Sequence, residues 1–221
     1  MKFASKKNEV LLRDGVVEKH ASSIESAVFE GMRLQKLRGA GIPVPALISC
    51  EGSVLKLEYI SAETLPDLID RLEKLQNGLV DFRDLSQSPS LLDLSVLSEL
   101  ETAANAVIDW LSEFYRAISS EKTGEIRGDV NGRNFLLTGG SCVGVDFEEQ
   151  VFGTKEQDIG KLVAFVLTYD PQGTEIKAEF ARKLMQRAVQ VLNIDEKEAV
   201  RQRDLELAAM QMRRSRQKNK M

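Results

Sequence analysis

Short apolar runs near the start of the chain flank two tight turns. Residues 10–12 and 16–19 enclose Arg13-Asp14-Gly15, and Asp-Gly is a strong turn pair for a β-hairpin. Residues 46–50 and 54–60 form a second pair of runs around the turn at 51–53. Both patterns predict hairpins, so residues 8–60 should contain a small sheet.

A helix is expected between the two hairpins. It begins at Ser22-Ser23, where Ser22 and Glu25 have the spacing of a capping box, and glycines at 39 and 41 end it. Its apolar face is predicted to carry Ile24, Val28, Met32 and Leu37.

Helical patterns dominate the rest of the chain. Residues 64–75 are predicted to be helical, with Pro66 in the first turn; Asn77-Gly78 should end this helix, and residues 86–90 should form a loop. A long amphipathic helix follows, in which Trp110 packs beside apolar residues at steps of three and four. These residues are Leu97, Leu100, Ala104, Val107, Leu111, Phe114 and Ile118.

Three more helices are predicted towards the C-terminus. The segment 153–167 has a nearly all-apolar second half and should be buried. Segments 174–192 and 196–212 each have an apolar face.

Composition describes an ordinary globular protein. The 221 residues are enough for one large domain or two small lobes, and 43 % are hydrophobic. A net charge of −4 gives no global basic field for nucleic acid, and no run of eighteen apolar residues predicts a membrane span. Cys50 and Cys142 are interpreted as buried free thiols in a reducing cytoplasm, and the single histidine, His20, makes a histidine-based metal site or a Ser-His-Asp triad improbable.

The strongest chemical signal lies between residues 125 and 148. Asp129 and Asn134 lie five positions apart in a loop rich in Gly and Asn, and the apolar runs 135–137 and 142–145 flank Gly139-Gly140. This second pattern predicts a hairpin that brings Asp146 back towards Asp129 and Asn134. Two carboxylates and an amide oxygen are hard ligands, which suit Mg²⁺ rather than Zn²⁺.

This order of residues resembles the catalytic loop and metal-binding Asp of the protein-kinase-like superfamily. It is most similar to the small members: aminoglycoside and choline phosphotransferases, the RIO kinases, and the kinase-like subunit of the tRNA threonylcarbamoyl-adenosine complex. Those members often have Gly before the catalytic Asp, as Gly128 stands here. The sequence departs from the family at two positions. Arg127 stands where His is usual, and Glu148 stands where the family usually has the glycine of Asp-Phe-Gly.

The resemblance implies an α+β, two-lobed protein-kinase-like fold. Residues 1–60 would form a reduced N-terminal sheet lobe, 61–212 a mainly helical C-terminal lobe with the catalytic loop, and 213–221 a basic tail. It also implies transfer of the ATP γ-phosphate to a hydroxyl of a protein or small molecule, with Mg²⁺ as cofactor.

The resemblance assigns a role to each candidate site residue. Asp129 would accept or align the proton of the substrate hydroxyl, and Asn134 and Asp146 would hold Mg²⁺. Lys19, oriented by Glu30, would pair the ATP phosphates, although Glu25 competes for that orienting role.

Two further roles follow from the same resemblance. The hinge around Glu58 and Ile60 would bind adenine through backbone groups. Asp158 would hold the catalytic loop by accepting its N–H groups.

Other interpretations stay open at the level of sequence. Lys19 and Glu30 could equally be solvated surface charges, and residues 57–60 could be a plain amphipathic strand. Asp158 could be a carboxylate that only interacts favourably with the dipole at the N-terminus of a helix. No Gly-rich loop precedes Lys19, and only about one strand fits before Arg13, so the phosphate-covering flap is expected to be absent or much reduced.

Non-enzymatic functions also stay open. The chain fits a pseudokinase or regulatory nucleotide-binding subunit, or an ATPase in a larger assembly. The basic tail 213–221 is expected to be frayed and solvated, with contact to RNA or an acidic protein as the alternative.

Overall fold

A five-stranded antiparallel sheet and one helix form the N-terminal lobe of this computed structural model, which describes residues 2–3, 8–80, 92–118 and 124–218. The elements are β1 (Lys2–Phe3), β2 (Glu9–Arg13), β3 (Val16–His20), α1 (Ile24–Gly39), β4 (Leu47–Glu51) and β5 (Val54–Glu58). The spatial order of the strands is β1-β2-β3-β5-β4.

Both predicted hairpins are present. Arg13 pairs with Val16 across a two-residue turn in which Asp14 and Gly15 have φ of +49° and +76°, the backbone that a tight hairpin needs. Only about one strand was predicted before Arg13, and this prediction was wrong. Lys2 and Phe3 form an additional short strand that pairs with β2. The connection at residues 4–7 lies outside the described residues.

Helix α1 has a different buried face from the predicted one. Its N-cap is Ser23, which accepts a hydrogen bond from the Ser26 N–H, so the assignment of the capping box to Ser22 and Glu25 was wrong. The predicted apolar residues Ile24, Val28 and Met32 are exposed, whereas the predicted Leu37 is buried. The buried residues are Ala27, Glu30, Gly31, Leu34 and Leu37.

Small residues and one charge determine this orientation of α1. A Cβ on Gly31 would lie 3.2 Å from Leu47 Cδ2, so glycine permits a close approach of the helix to β4. Glu30 is buried on the same face because it pairs with Lys19 on β3. An apolar-periodicity argument cannot anticipate a helix whose buried face contains a carboxylate and glycine.

The remaining elements form a mainly helical C-terminal lobe with two small ribbons. The confirmed architecture is therefore α+β, with a small sheet lobe followed by helices. The elements are β6 (Glu63–Thr64), α2 (Leu65–Val80), α3 (Leu94–Ile118), β7 (Glu125–Ile126), β8 (Phe135–Thr138), β9 (Ser141–Gly144), β10 (Val151–Phe152), α4 (Lys155–Thr168), α5 (Glu175–Leu192) and α6 (Glu196–Lys218).

The prediction for α2 was right at its start and wrong at its end. Pro66 lies in its first turn, but the helix continues through Asn77 and Gly78 to Val80. Neither residue forbids a helix, since glycine costs only about 1 kcal/mol relative to alanine. The predicted loop at residues 86–90 lies outside the described residues.

Helix α3 is the core of the C-terminal lobe, as predicted. All the residues of its predicted apolar face are buried except Leu97, which is only partly buried beside the fully buried Val96. Trp110 stacks on Phe114 with ring centroids 5.3 Å apart, and its Nε1–H donates to the Pro43 carbonyl at 2.8 Å. The indole therefore packs in the helical lobe while it bonds to the connector of the sheet lobe.

Helices α4 and α6 pack at very close range. A Cβ on Gly160 would lie 2.6 Å from the Arg203 amide nitrogen and 2.7 Å from the Ala199 carbonyl oxygen. The helix predicted to end at 212 continues to Lys218, so residues 213–218 of the expected basic tail are helical. In the described ranges, no helix combines the length and apolar character that crossing a bilayer requires.

We expect Gly160→Ala to destabilise the fold by about 1–3 kcal/mol, because the new methyl group would collide with the α6 backbone. Urea denaturation followed by circular dichroism measures the change in the free energy of unfolding.

Gly78→Ala is the matched control, since it adds a methyl group to a helical glycine with nothing within 4 Å. It should stabilise the protein by about 0.4–1 kcal/mol. Equal effects of the two substitutions would contradict the close α4–α6 contact.

Candidate active site

A buried lysine lies at the junction of the two lobes. The Lys19 side chain is 7 % exposed, and its Nζ lies 2.8 Å from Glu30 Oε2, 2.6 Å from Asp146 Oδ1 and 2.8 Å from Glu148 Oε1. The alternative interpretation, in which Lys19 and Glu30 are solvated surface charges, is therefore wrong. Glu25, the competing partner, is exposed on α1.

The charges of this cluster stabilise one another. Burial alone would lower the pKa of Lys19, but the nearby carboxylates of Glu30 and Asp146 raise it well above its ordinary value. Burial would raise the pKa of Asp146, but Lys19 and Arg127 outweigh that effect and lower it. Lys19 and Asp146 are thus held in their charged forms.

The segment after β9 is fixed by two buried side chains. The Phe147 N–H donates to Glu30 Oε1 at 3.1 Å, which ties this segment to α1. Arg127 Nη2 donates to the carbonyls of Val145 and Asp146, both at 2.6 Å, and the guanidinium lies 4.5 Å from the centre of the Phe147 ring. These contacts hold Asp146 at a φ of +67°, in the left-handed region that few non-glycine residues adopt.

The loop that carries Asp129 ends in a 3₁₀ turn, Gly132–Asn134. Asn131 caps this turn by accepting the Arg133 N–H at 3.1 Å, and Asn134 Nδ2 donates to the Asp129 carbonyl at 3.3 Å. The Val145 N–H donates to the Asn134 carbonyl at 3.0 Å. The structure thus brings the segments of Asp129, Asn134 and Asp146 together; Asp129 is exposed, and Asn134 is buried.

Asp158 lies beneath this loop and is almost fully buried. Its carboxylate accepts the Arg127 N–H at 2.7 Å, the Gly128 N–H at 3.0 Å and the Tyr115 hydroxyl at 2.8 Å. Burial raises the pKa of Asp158, and these three hydrogen bonds oppose the rise. A carboxylate that only interacted with the dipole at the N-terminus of α4 would not need these hydrogen bonds.

Gly128 is required by the local geometry. Its φ is +74°, and a Cβ at this position would lie 2.4 Å from Val151 Cγ2.

Sequence reasoning missed several residues of the site. Tyr115 and Tyr169 were not singled out, yet the Tyr115 hydroxyl donates to Asp158 and the Tyr169 hydroxyl accepts the Gly132 N–H at 2.9 Å. Glu148 was interpreted only as a replacement for glycine, but its carboxylate contacts Lys19 and accepts a hydrogen bond from Asn8 Nδ2. The signal available in the sequence was a second carboxylate only two residues after Asp146, within reach of the same cation.

The predicted hinge lies at the end of β5. The Glu58 N–H donates to the Ala46 carbonyl at 2.9 Å, and the Glu58 carboxylate accepts the Ala46 N–H at 3.0 Å. The Glu58 N–H is therefore engaged in the sheet. Ile60 lies just beyond the strand and is partly buried, so an adenine contact at Glu58 and Ile60 stays a prediction.

A cavity of about 310 Å³ opens beside Asp129. Glu149, Lys161, Glu206 and Arg213 provide its polar walls. Lys161 Nζ donates to the Gly128 carbonyl at 2.9 Å, and Arg213 pairs with Glu206 at 2.6 Å. Arg213 was expected to belong to a solvated tail, but it lies on α6 at the edge of this cavity.

Comparison with solved structures identifies the fold. The amicoumacin kinase hAmiN, solved with AMP-PNP, Ca²⁺ and Ami, is similar with a TM-score of 0.50 and 15 % identity, over 92 % of this chain and 77 % of that chain. A Mesorhizobium loti choline/ethanolamine kinase family protein gives a TM-score of 0.47 and 14 % identity, over 97 % and 80 % of the respective chains. No protein-family model matches the chain, and no curated protein sequence matches it either. The chain has a protein-kinase-like fold, as its sequence predicted.

We expect Asp158→Asn to destabilise the protein by about 1–3 kcal/mol. The amide has only one acceptor oxygen, whereas the Arg127 and Gly128 N–H groups bond to different carboxylate oxygens. Chemical denaturation measures the free energy of unfolding.

Asp129→Asn is the control, because it makes the same chemical change at an exposed position. It should shift the unfolding free energy by less than about 0.5 kcal/mol. A loss of comparable size at both positions would show that Asp158 does not support the loop in the way its contacts indicate.

Proposed function

We propose that the chain is an ATP- and Mg²⁺-dependent phosphotransferase that transfers the γ-phosphate to a hydroxyl group. The observation that carries this proposal is the buried Lys19 ammonium, held among Glu30, Asp146 and Glu148 beside the Asp129 loop. A kinase solved with AMP-PNP and Ca²⁺ supports it, because that protein shares the fold.

The residues fit a magnesium ion. Oxygen atoms of Glu30, Asp146 and Glu148 lie within 4.8 Å of one another, and oxygen donors are the ligands that Mg²⁺ prefers. All three carboxylates contact Lys19, but the Glu30 side chain is 1 % exposed and also accepts the Phe147 N–H, whereas the Asp146 and Glu148 side chains are 42 % and 18 % exposed and are more accessible to an ion. Asp146 and Asn134 would hold the ion, with Glu148 as a third oxygen ligand. Bound Mg²⁺ would neutralise charge on the transferring phosphate.

The side chains divide the work of phosphoryl transfer. Lys19 binds the phosphates, and Glu30 keeps its ammonium directed towards them. Asp129 orients the acceptor hydroxyl and takes its proton as the new P–O bond forms, while the bond from the γ-phosphorus to the β,γ-bridging oxygen breaks and ADP leaves. Asp158 and Arg127 fix the positions of the Asp129 loop and the Asp146 segment, because each bonds to backbone groups of these segments. Backbone groups near Glu58 and Ile60 would contact adenine.

The competing function is a pseudokinase that binds nucleotide without transferring phosphate. The observation in its favour is the connection between β1 and β2, whose sequence, Ala4-Ser5-Lys6-Lys7, contains no glycine to cover phosphates. The exposed Asp129 and its adjoining cavity favour transfer, because a hydroxyl compound could reach the carboxylate. An ATPase that uses water as the acceptor would share the same residues.

We expect Asp146→Ala to abolish Mg²⁺-dependent binding of ATP, while Asp129→Asn retains binding and loses turnover. The first change removes a metal ligand, and the second removes only the proton acceptor. Calorimetry with ATP and Mg²⁺ measures binding, and release of labelled phosphate or labelled product measures turnover.

Unchanged metal-dependent binding in Asp146→Ala would contradict the assignment of this residue. ATP binding by the unmodified protein without any turnover would favour the pseudokinase. Release of phosphate in the absence of any hydroxyl acceptor would favour the ATPase.

We expect Lys19→Met to weaken ATP binding roughly ten- to a hundredfold, the effect of losing one charge-assisted hydrogen bond. The methionine side chain keeps much of the volume but has no ammonium group. Calorimetric titration of the isolated chain provides the dissociation constant.

Lys56→Met is the matched control, since Lys56 lies on the adjacent strand β5 and its side chain is 45 % exposed. It should leave the dissociation constant within about twofold of the unmodified value. Tight binding that survives Lys19→Met would place the phosphate site elsewhere.

A further inference from the structure

A second cavity adjoins the one beside Asp129. Its volume is about 390 Å³, and its walls come from β7, β10, α4 and α6. The two cavities share Val151, Lys161 and Glu206, so they are two arms of one groove. This α6 groove runs between helix α6 and residues 149–152.

The two arms differ in chemistry. The arm beside Asp129 is mainly polar. The second arm is more apolar: atoms of Ile126, Phe152, Leu205 and Ala209 line it together with the polar side chains of Gln157, Asp158, Lys161, Gln202 and Glu206. Phe152 is 60 % exposed and Leu205 is 52 % exposed, although both are large apolar side chains. An apolar ligand portion in this arm would remove these surfaces from water, which stabilises a complex.

The charges of the polar arm restrict the ligand further. Asp129, Glu149 and Glu206 are acidic. Arg213 pairs with Glu206, and Lys161 donates to the neutral Gly128 carbonyl, so this arm carries three acids against two cations. An acidic ligand would therefore meet an excess of negative charge, whereas a hydroxyl compound without an acid group would not be repelled.

We propose that the α6 groove binds a small amphiphilic alcohol, with its hydroxyl at Asp129 and its apolar portion between Phe152 and Leu205. Each arm has a volume typical of small-molecule sites, and residues of β7, β10, α4 and α6 line the second arm. This inference rests on the proposed function, because it names the class of acceptor for the same Asp129.

The test measures binding of methyl, butyl and hexyl β-glucosides, below their micelle concentrations, to the full chain without nucleotide. Ligand-observed NMR titration supplies the dissociation constants. Affinity should increase with chain length, by up to about fourfold for each methylene group that is fully buried. Leu205→Gln and Phe152→Gln should each reduce this gradient.

Leu94→Gln is the control, because Leu94 is 82 % exposed at the start of α3 and lines neither cavity. It should leave the gradient unchanged. A flat series, including no binding at any chain length, overturns the proposal, and so does a gradient that Leu205→Gln and Phe152→Gln leave intact. Concentration-dependent dimerisation that Leu205→Gln removes would assign the apolar arm to a second copy of the chain and would also overturn it.

This measurement is independent of phosphoryl transfer. Failure of the proposed function would appear as absent ATP binding or turnover, while the glucoside gradient would persist. Failure of the acceptor proposal would appear as a flat gradient in a protein that still binds ATP.

Discussion

The burial of the Lys19 ammonium constrains the arrangement of both lobes. An unpaired buried charge costs several kcal/mol, so this side chain can remain buried only where carboxylates surround it. Glu30 comes from α1, whereas Asp146 and Glu148 come from the segment after β9. Helix α1, strand β3 and this segment therefore cannot be positioned independently. Glu30 strengthens the coupling because it also accepts the Phe147 N–H.

A second group of buried polar side chains lies beneath the first. Arg127 bonds to the carbonyls of Val145 and Asp146, while Asp158 accepts the backbone N–H of Arg127. Hydrogen-bonded buried polar groups favour one arrangement, and these bonds connect the Asp129 loop to the Asp146 segment, although Arg127 Nε is buried without a hydrogen-bond partner among the described residues. Asp129 itself stays exposed. The loop is thus held by buried contacts, while the Asp129 carboxylate, which accepts the Asn131 N–H at 3.2 Å, lines the adjoining cavity.

Local sequence patterns predicted the parts of the fold that depend on residues close together in sequence, such as tight turns and the apolar face of a helix. Asp14-Gly15 and Gly139-Gly140 supply the positive φ angles of two hairpin turns, and the apolar face of α3 follows its periodicity. The buried face of α1 could not be found in this way, because Glu30 is buried through a partner that lies eleven residues earlier on another element. Tyr115 was missed for a similar reason: its hydroxyl partner, Asp158, lies 43 residues away in sequence.

The family resemblance supplied what local patterns could not. It singled out Lys19, Glu30 and Asp158, and the structure brings each of them into the contacts described above. It also drew attention away from Glu148. The family usually has glycine at this position, so the glutamate was interpreted as a missing glycine rather than as a new carboxylate. A resemblance is informative where the residues match it, whereas a departure has to be interpreted from its own chemistry.

That chemistry favours a cation at the lobe junction. Three carboxylates surround one ammonium, which leaves an excess of negative charge in a partly buried cluster. Repulsion among these carboxylates is a cost to the fold, and a divalent cation bound at Asp146 and Glu148 would relieve it. The Asp146 side chain is 42 % exposed, so an ion can reach it from solvent. Because a negatively charged triphosphate would be repelled by the cluster alone, the nucleotide binding proposed above would require the cation to be bound before the nucleotide or together with it.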